Sequence, residues 1–232
     1  MNKIDSDYRF ERKWIFNNNF FDIYNSLLKS KFYFNYSFPD RMVNSIYFDD
    51  FVNTSVKENL EGENDKIKIR IRWYGKNCFI LKKPRLEFKI KKNFQNYKII
   101  KKLDILNNLN IMNFEHVKII SKTVNSIYKK KMLIPVSTTH YNRSYLISSN
   151  NLIRSTLDKN LKVSRFNNNV FIPIFKEFNK IILELKYKKQ YDEYVRKNIN
   201  NISSRFSKSS KYIFSMINYY SYPIFFIYNK FI

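Results

Sequence analysis

The sequence has 232 residues and a formal net charge of +24, with 43 Lys and Arg against 19 Asp and Glu. Hydrophobic residues make up 44% of it and aromatic residues 18%, which argues against an intrinsically disordered chain despite the high charge. One cysteine and two well-separated histidines exclude an internal disulfide and a structural zinc site.

The length fits a single domain over residues 1–232, and the basic excess indicates an anionic partner. Nucleic acid, a phosphorylated small molecule, polyphosphate and an acidic membrane surface all qualify. A bias towards AT-rich codons would also raise the lysine content, so the positions of the charges have to decide. Gly62 and Gly75 are the only glycines, which excludes a glycine-rich phosphate loop. Any bound phosphate must therefore be held by side chains.

The first predicted element is a strand over Tyr8–Phe16, because polar and apolar residues alternate there. Its polar face carries Glu11 and Lys13, and its apolar face carries Trp14. Apolar residues at helical spacing then predict a helix over Phe20–Ser30.

A strand over Val43–Asp49 and a short helix over Phe51–Leu60 follow. The clearest alternation in the sequence predicts a strand over Lys66–Tyr74, and Arg85–Lys91 repeats it. The polar face of the first of these two strands consists of Lys66, Lys68, Arg70, Arg72 and Tyr74.

The segment Lys101–Lys131 is predicted to be mostly helical, with a break at Asn107–Asn113. Three more strands are expected, over Val136–Ser148, Ile153–Phe166 and Lys180–Lys188.

The chain is then predicted to form a helix over Asp192–Asn200, a loop over Ser203–Ser210 and a last helix over Lys211–Tyr220. Strands dominate and helices interrupt them, so the expected class is α+β on an antiparallel sheet. We expect the apolar tail Tyr219–Ile232 to pack on the exterior, with a peripheral membrane or partner contact left open. No signal peptide and no run of ~20 apolar residues is evident, so a soluble, cytoplasmic protein is expected.

The polar faces of several predicted strands are rich in Arg and Lys with a recurring Glu, whereas their opposite faces are apolar. One basic strand face is usually just solvated, but its repetition on five or six strands favours a shared site. A closed antiparallel barrel satisfies both faces, with helices covering its apolar outside and the charged side chains lining its lumen. Such a lumen suits a phosphate chain, and its carboxylates suit a hard divalent cation.

Eight segments, taken in order from Tyr8 to Met216, resemble the VTC (vacuolar transporter chaperone) domain polyphosphate polymerases of the triphosphate tunnel (CYTH-like) superfamily. These segments are Phe10–Lys13 (FERK), Val43–Asp50 (VNSIYFDD), Lys68–Gly75 (KIRIRWYG), Leu86–Lys89 (LEFK), Tyr141–Arg143 (YNR), Arg154–Asp158 (RSTLD), Leu183–Tyr187 (LELKY) and Ser210–Tyr212 (SKY).

The resemblance implies a set of site residues and a bound Mn²⁺ or Mg²⁺ ion. The catalytic phosphate contacts it implies are Lys13, Arg70, Arg72, Lys89, Arg143, Arg154 and Lys211. The substrate-binding residues it implies are Tyr141, Lys186, Lys208 and Ser210. Glu184 would hold the metal ion, with Glu11 and Glu87 as further carboxylates that alternatively orient a neighbouring lysine. Tyr141 alternatively packs, and Ser207-Lys208 is a second register for the Ser-Lys pair.

The implied reaction transfers the terminal phosphoryl group of ATP to a growing polyphosphate chain, without a covalent intermediate or a catalytic histidine. His140 is expected to be structural or on the surface. A triphosphatase on the same fold is the nearest alternative, and a non-catalytic polyanion- or RNA-binding module is another. ATP and polyphosphate are the expected partners, and nucleic acid is not. Product length, preferred metal and oligomeric state stay open.

Overall fold

The computed structural model describes residues 3–5, 9–17, 19–92, 95–199, 207 and 210–217. The strands in this part of the chain are β1 (Lys3–Asp5), β2 (Arg9–Asn17), β3 (Asn35–Asp49), β4 (Lys66–Tyr74), β5 (Arg85–Lys92), β6 (Gln95–Lys102), β7 (Ile134–Ile147), β8 (Arg154–Asn167), β9 (Val170–Phe178) and β10 (Lys180–Lys188). The helices are α1 (Phe20–Leu28), α2 (Thr54–Leu60), α3 (Phe114–Tyr128), α4 (Asp192–Asn198) and α5 (Lys211–Ile217), and short 3-10 turns lie at Asp104–Leu106 and Lys189–Tyr191.

The strands form one antiparallel sheet in the order β1-β6-β5-β4-β3-β7-β8-β10-β2, with β9 paired to β8. The α+β class is therefore confirmed. Within the described residues the ladder of hydrogen bonds has two ends, β1 and β2, so the expected closed barrel is not supported. Strand β1 pairs with β6 and β2 pairs with β10, and no ladder among the described residues joins β1 to β2.

The sheet nevertheless curves until its two sides meet through side chains. Lys89 Nζ on β5 lies 3.3 Å from Glu11 Oε2 on β2, although these strands are not hydrogen-bonded neighbours. We call the charged concave side of this sheet the charged channel. The expected lumen is therefore the inner face of an open sheet, and an ion pair bridges β5 and β2 where no backbone ladder joins them.

Helices cover the apolar side of the sheet, as the alternation predicted. Ile23 and Leu27 of α1 pack in one core cluster with Trp14 of β2 and with Leu183 and Leu185 of β10. Burial of each such side chain contributes about 1.5–3 kcal/mol.

A second cluster lies under α3. Val117, Ile120 and Val124 pack there against Ile69 and Ile71 of β4. This helix begins after Asn113, whose side chain accepts a hydrogen bond from the backbone N–H of His116.

The prediction of a mostly helical segment over Lys101–Lys131 is wrong at its start, because its first residues close strand β6 (Gln95–Lys102). Strands β1, β6 and β9 were not predicted, and β3 starts at Asn35 instead of Val43. The first seven residues of β3 are mostly exposed, so they lack the alternation that marks the buried half.

The tail Tyr219–Ile232 lies outside the described residues, as does most of the loop Ser203–Ser210. No helix in the described part of the chain is both long enough and apolar enough to cross a membrane.

Candidate functional site

The charged channel gathers cations from six strands and from α5, because alternate residues of a strand share one face. The side chains that contact one another there are Lys13, Lys68, Arg70, Arg72, Lys89, Lys98, Arg143, Lys186 and Lys211, with the carboxylates Glu11, Glu87, Asp158 and Glu184. Nine cations face four carboxylates in this set. Like charges at such density repel one another, so an anion in the channel would relieve the excess.

Glu87 of β5 organises one group of these cations. Its carboxylate lies 2.8 Å from Arg70 Nε, 2.6 Å from Arg70 Nη2, 2.9 Å from Lys98 Nζ and 3.9 Å from Arg72 Nη1. Burial alone would raise the pKa of Glu87, but the charges of Arg70, Arg72 and Lys98 hold it well below its usual value. Glu87 is therefore an anion that aligns cations.

Asp158 of β8 organises a second group, and its side chain is fully buried. Arg143 donates two parallel hydrogen bonds to it, of 2.6 Å from Nε and 2.7 Å from Nη2. Lys211 Nζ of α5 lies 2.6 Å from Asp158 Oδ2. Burial raises the pKa of Asp158, whereas the charges of Arg143 and Lys211 lower it below its usual value.

A third group joins β2 and β10. Lys13 Nζ lies 2.6 Å from Glu11 Oε1 and 3.8 Å from Glu184 Oε2, and Lys186 Nζ lies 2.5 Å from Glu184 Oε1. Burial would raise the pKa of Glu11, but Lys13 and Lys89 lower it to about 2. The two carboxylates thus flank Lys13 and are both ionised at neutral pH.

Ser210 and the first residues of helix α5 lie in the channel. Ser210 Oγ accepts a hydrogen bond of 3.1 Å from Lys68 Nζ. Tyr212 donates a hydrogen bond of 2.5 Å to the buried carboxylate of Asp49. The Oγ atoms of Ser215 and Ser137 lie 2.7 Å apart and fix the next turn of α5 to β7.

The Ser210-Lys211 register therefore brings both residues into the site. Ser207 is placed by its backbone, whose N–H donates to the carbonyl oxygen of Lys13 at 2.8 Å. Lys208 lies outside the described residues, and its role stays a prediction.

Two expected site residues sit differently from the rest. Tyr141 is buried and its hydroxyl accepts a hydrogen bond of 3.3 Å from Arg72 Nη2, while Lys211 Nζ lies 4.8 Å from the centre of its ring. Tyr141 thus both packs and orients Arg72. Arg154 is exposed at the start of β8, opposite Lys186 in the ladder, at the rim of the channel.

The three expected metal ligands do not come together. Within the described residues no group of three or more His, Cys, Asp or Glu side chains could hold a metal ion. Glu11 and Glu184 flank the same lysine, whereas Glu87 belongs to the group around Arg70. Mg²⁺ and similar ions in phosphate sites use one or two carboxylates plus phosphate oxygens, so the pair Glu11 and Glu184, on either side of Lys13, suits such an ion.

His140 lies on the opposite side of β7 from Tyr141, buried between Asn44 and Thr138 at 2.9 Å from each. Burial lowers its pKa to about 3, so it stays neutral at physiological pH. Its structural role is the one the sequence indicated.

Sequence reasoning left three channel residues out of the site. Lys98 was missed because it lies just before the segment predicted to be helical, Lys101–Lys131. In the structure Lys98 lies directly opposite Lys89 in the ladder. Lys68 and Asp158 were visible in the alternation, but only their contacts to Ser210 and Lys211 place them in the site.

Comparison with known proteins agrees with this geometry. A family model described as VTC domain matches residues 8–220. The chain belongs to the VTC domain family. No curated protein matches the sequence.

Among solved structures, the PH1819 protein of Pyrococcus horikoshii OT3 resembles this VTC domain with a TM-score of 0.53 and 12% identity, over 91% of this chain and 99% of that one. A putative adenylate cyclase from Vibrio parahaemolyticus gives a TM-score of 0.50 and 10% identity over the same shares. The putative adenylyl cyclase HpAC1 from Hippeastrum, described with a dominant triphosphatase activity, gives 0.47 and 11% over 90% and 96%. At these identities the first two likenesses show a shared fold and nothing further.

Proposed function

We propose that this VTC domain is an ATP-dependent polyphosphate polymerase, which transfers the terminal phosphoryl group of ATP to a growing polyphosphate chain. The observation that carries the proposal is the convergence of nine Lys and Arg side chains on four carboxylates in the charged channel. A phosphate chain would neutralise the excess along its whole length. Membership of the VTC domain family supports the choice of substrate.

The channel residues suit phosphoryl transfer, which needs positioning and charge neutralisation more than covalent chemistry. Arg70, Arg72 and Arg143 can each bind two phosphate oxygens through a planar guanidinium, whereas Lys13 and Lys211 act as point charges. The attacking group would be the terminal phosphate of the chain. This group is already anionic, so the reaction needs no general base.

Glu11 and Glu184 would hold a Mn²⁺ or Mg²⁺ ion together with phosphate oxygens, and the ion would neutralise charge on the transferred group. Lys13 contacts Glu11, and Lys186 contacts Glu184. We expect a bound phosphate chain to draw both lysines away and leave the carboxylates to the ion.

The decisive experiment is to incubate purified protein with ATP and Mn²⁺ and to follow long-chain polyphosphate on a gel and free phosphate in solution. The variant Glu184→Gln removes one charge from the channel at nearly constant size. Glu193→Gln on the surface of α4 is the matched control, since this carboxylate pairs only with its neighbour Lys197 at 2.7 Å among the ion pairs of the described residues.

Polyphosphate made by the wild type and the control, but not by Glu184→Gln, would support the proposal. Free phosphate without chains would replace it by a metal-dependent triphosphatase, in which water attacks instead of a phosphate. Binding of polyphosphate with neither product would indicate a non-catalytic polyanion-binding module.

A further inference from the structure

One end of the charged channel carries aromatic rings where the rest carries cations. Tyr74 follows Arg72 by two residues on β4, and Tyr145 follows Arg143 by two residues on β7. Each ring is thus on the channel side of its strand, and its residue lies about 7 Å further along the backbone than the arginine that precedes it. Arg41 on β3 pairs with Arg143 in the ladder, so it lies beside the same end.

Three aromatic rings surround Arg41. The guanidinium carbon of Arg41 lies 5.6 Å from the ring centre of Phe38 and 5.8 Å from those of both Tyr74 and Tyr145. The rings of Phe38 and Tyr145 meet edge to face, with centres 6.0 Å apart. We call Phe38, Arg41, Tyr74 and Tyr145 the aromatic mouth.

The aromatic mouth is open to solvent. Phe38 is 56% exposed and Arg41 is exposed as well, although both belong to a strand whose second half is fully buried. A large exposed ring beside an exposed arginine adds little to the core. It does present a flat surface to anything that enters the channel from this end.

A flat aromatic ligand with a phosphate tail matches this arrangement. Nucleobases stack on aromatic rings and on guanidinium planes, whereas an inorganic phosphate chain gains nothing from a ring. The cations for the tail begin one strand repeat further in, at Arg72 and Arg143.

We propose that the aromatic mouth binds the base of a nucleoside triphosphate, which enters the charged channel with its phosphates first. The terminal phosphate then points towards Lys211, since α5 is anchored at the other end of β3 through Tyr212 and Asp49. This inference rests on the proposed function, because it assigns one end of the same site to the part of ATP that is not phosphate.

The test measures the affinity of ATP and of inorganic tripolyphosphate by calorimetry in metal-free buffer, where no turnover is expected. Phe38→Ala removes one stacking surface, and Phe38→Tyr restores it. Phe51→Ala is the matched control, because Phe51 is a similarly exposed ring (64%) just beyond the opposite end of β3.

Phe38→Ala should bind ATP about tenfold more weakly, as expected for the loss of one stacked ring, with tripolyphosphate affinity unchanged. Phe38→Tyr and Phe51→Ala should match the wild type for both ligands. Equal losses for both ligands, or no loss for either, would overturn the base site and leave the phosphate channel intact. A wild type that binds neither ligand would overturn the proposed function, and this inference with it.

Discussion

Lys211 Nζ lies 2.6 Å from Asp158 Oδ2, and this ion pair joins helix α5 to the buried wall of the charged channel. Arg143 holds the same carboxylate with two hydrogen bonds. One buried anion thus sets the position of two cations that we assign to phosphate binding. Removal of the Asp158 carboxylate should change both the stability of the fold and the binding of an anion.

Asp158→Asn should lower the free energy of unfolding by about 3–5 kcal/mol, because it leaves Arg143 and Lys211 buried without their counter-charge. Saturating tripolyphosphate should raise the free energy of unfolding more for Asp158→Asn than for the wild type, since the ligand supplies the missing negative charge. Urea denaturation with and without the ligand measures both effects. Asp104→Asn, at an exposed position, should change stability by no more than about 0.5 kcal/mol. An Asp158→Asn protein as stable as the wild type would contradict the role of Asp158 as the counter-charge of Arg143 and Lys211.

Tyr212→Phe should loosen α5. The change removes the hydrogen bond to the buried carboxylate of Asp49, and a bond to a charged group is worth about 1.5–3 kcal/mol. We expect faster hydrogen exchange in α5 and weaker tripolyphosphate binding, because Lys211 follows Ser210 into the channel from this helix. Tyr33→Phe serves as the control, since Tyr33 is 65% exposed. Unchanged exchange in α5 would show that the helix is held by its other contacts.

Binding of a phosphate chain should take up protons. Burial, together with the charges of Lys89 and Lys13, lowers the pKa of Lys68 well below its usual value. An anion favours the charged form and raises that pKa again, so the amine gains a proton when the ligand binds. Calorimetry of tripolyphosphate binding in buffers of different ionisation enthalpy at pH 8–9 measures the uptake.

Lys68→Met should reduce this uptake, whereas Lys118→Met, which removes a surface lysine paired with Glu115, should not. Equal proton uptake by both variants would mean that another group takes up the protons.

Acid should weaken the contribution of Glu11 to stability. Its folded-state pKa is about 2 against an ordinary 4.5, so its ion pairs stabilise the fold fully above pH 4.5 and lose this effect as the pH falls towards 2. The difference in unfolding free energy between wild type and Glu11→Gln should therefore be constant from pH 5 to 7 and shrink below pH 4.5. The carboxylate is 27% exposed, so salt should reduce the difference at every pH. If the difference in unfolding free energy grew on acidification, it would contradict a lowered pKa of Glu11 in the folded state.

The sequence predicted which side chains of β4 face the charged channel. Alternation over Lys66–Tyr74 places Lys68, Arg70 and Arg72 on one face, and the structure finds all three there. It also predicted that helices cover the apolar side. These features follow from the period of two residues in a strand, which is a local property of the backbone.

The partners of these residues could not be predicted in the same way. The sequence left Glu87 as either a further metal ligand or a carboxylate that orients a neighbouring lysine, and in the structure it contacts Arg70 and Lys98. The closed barrel is not supported for a related reason, because alternation does not show which strands pair. In the described residues β1 pairs with β6 and β2 with β10, and no ladder joins these two ends.

Alternation by itself determined which side chains share a charged face on the regular strands, since residues two apart on a regular strand point the same way. Only the tertiary structure decided which cation reaches which carboxylate. Lys211 meets Asp158, and Lys89 meets Glu11, because the sheet curves and α5 docks against it. Such contacts depend on strand order and curvature, which are set by packing between segments far apart in the chain.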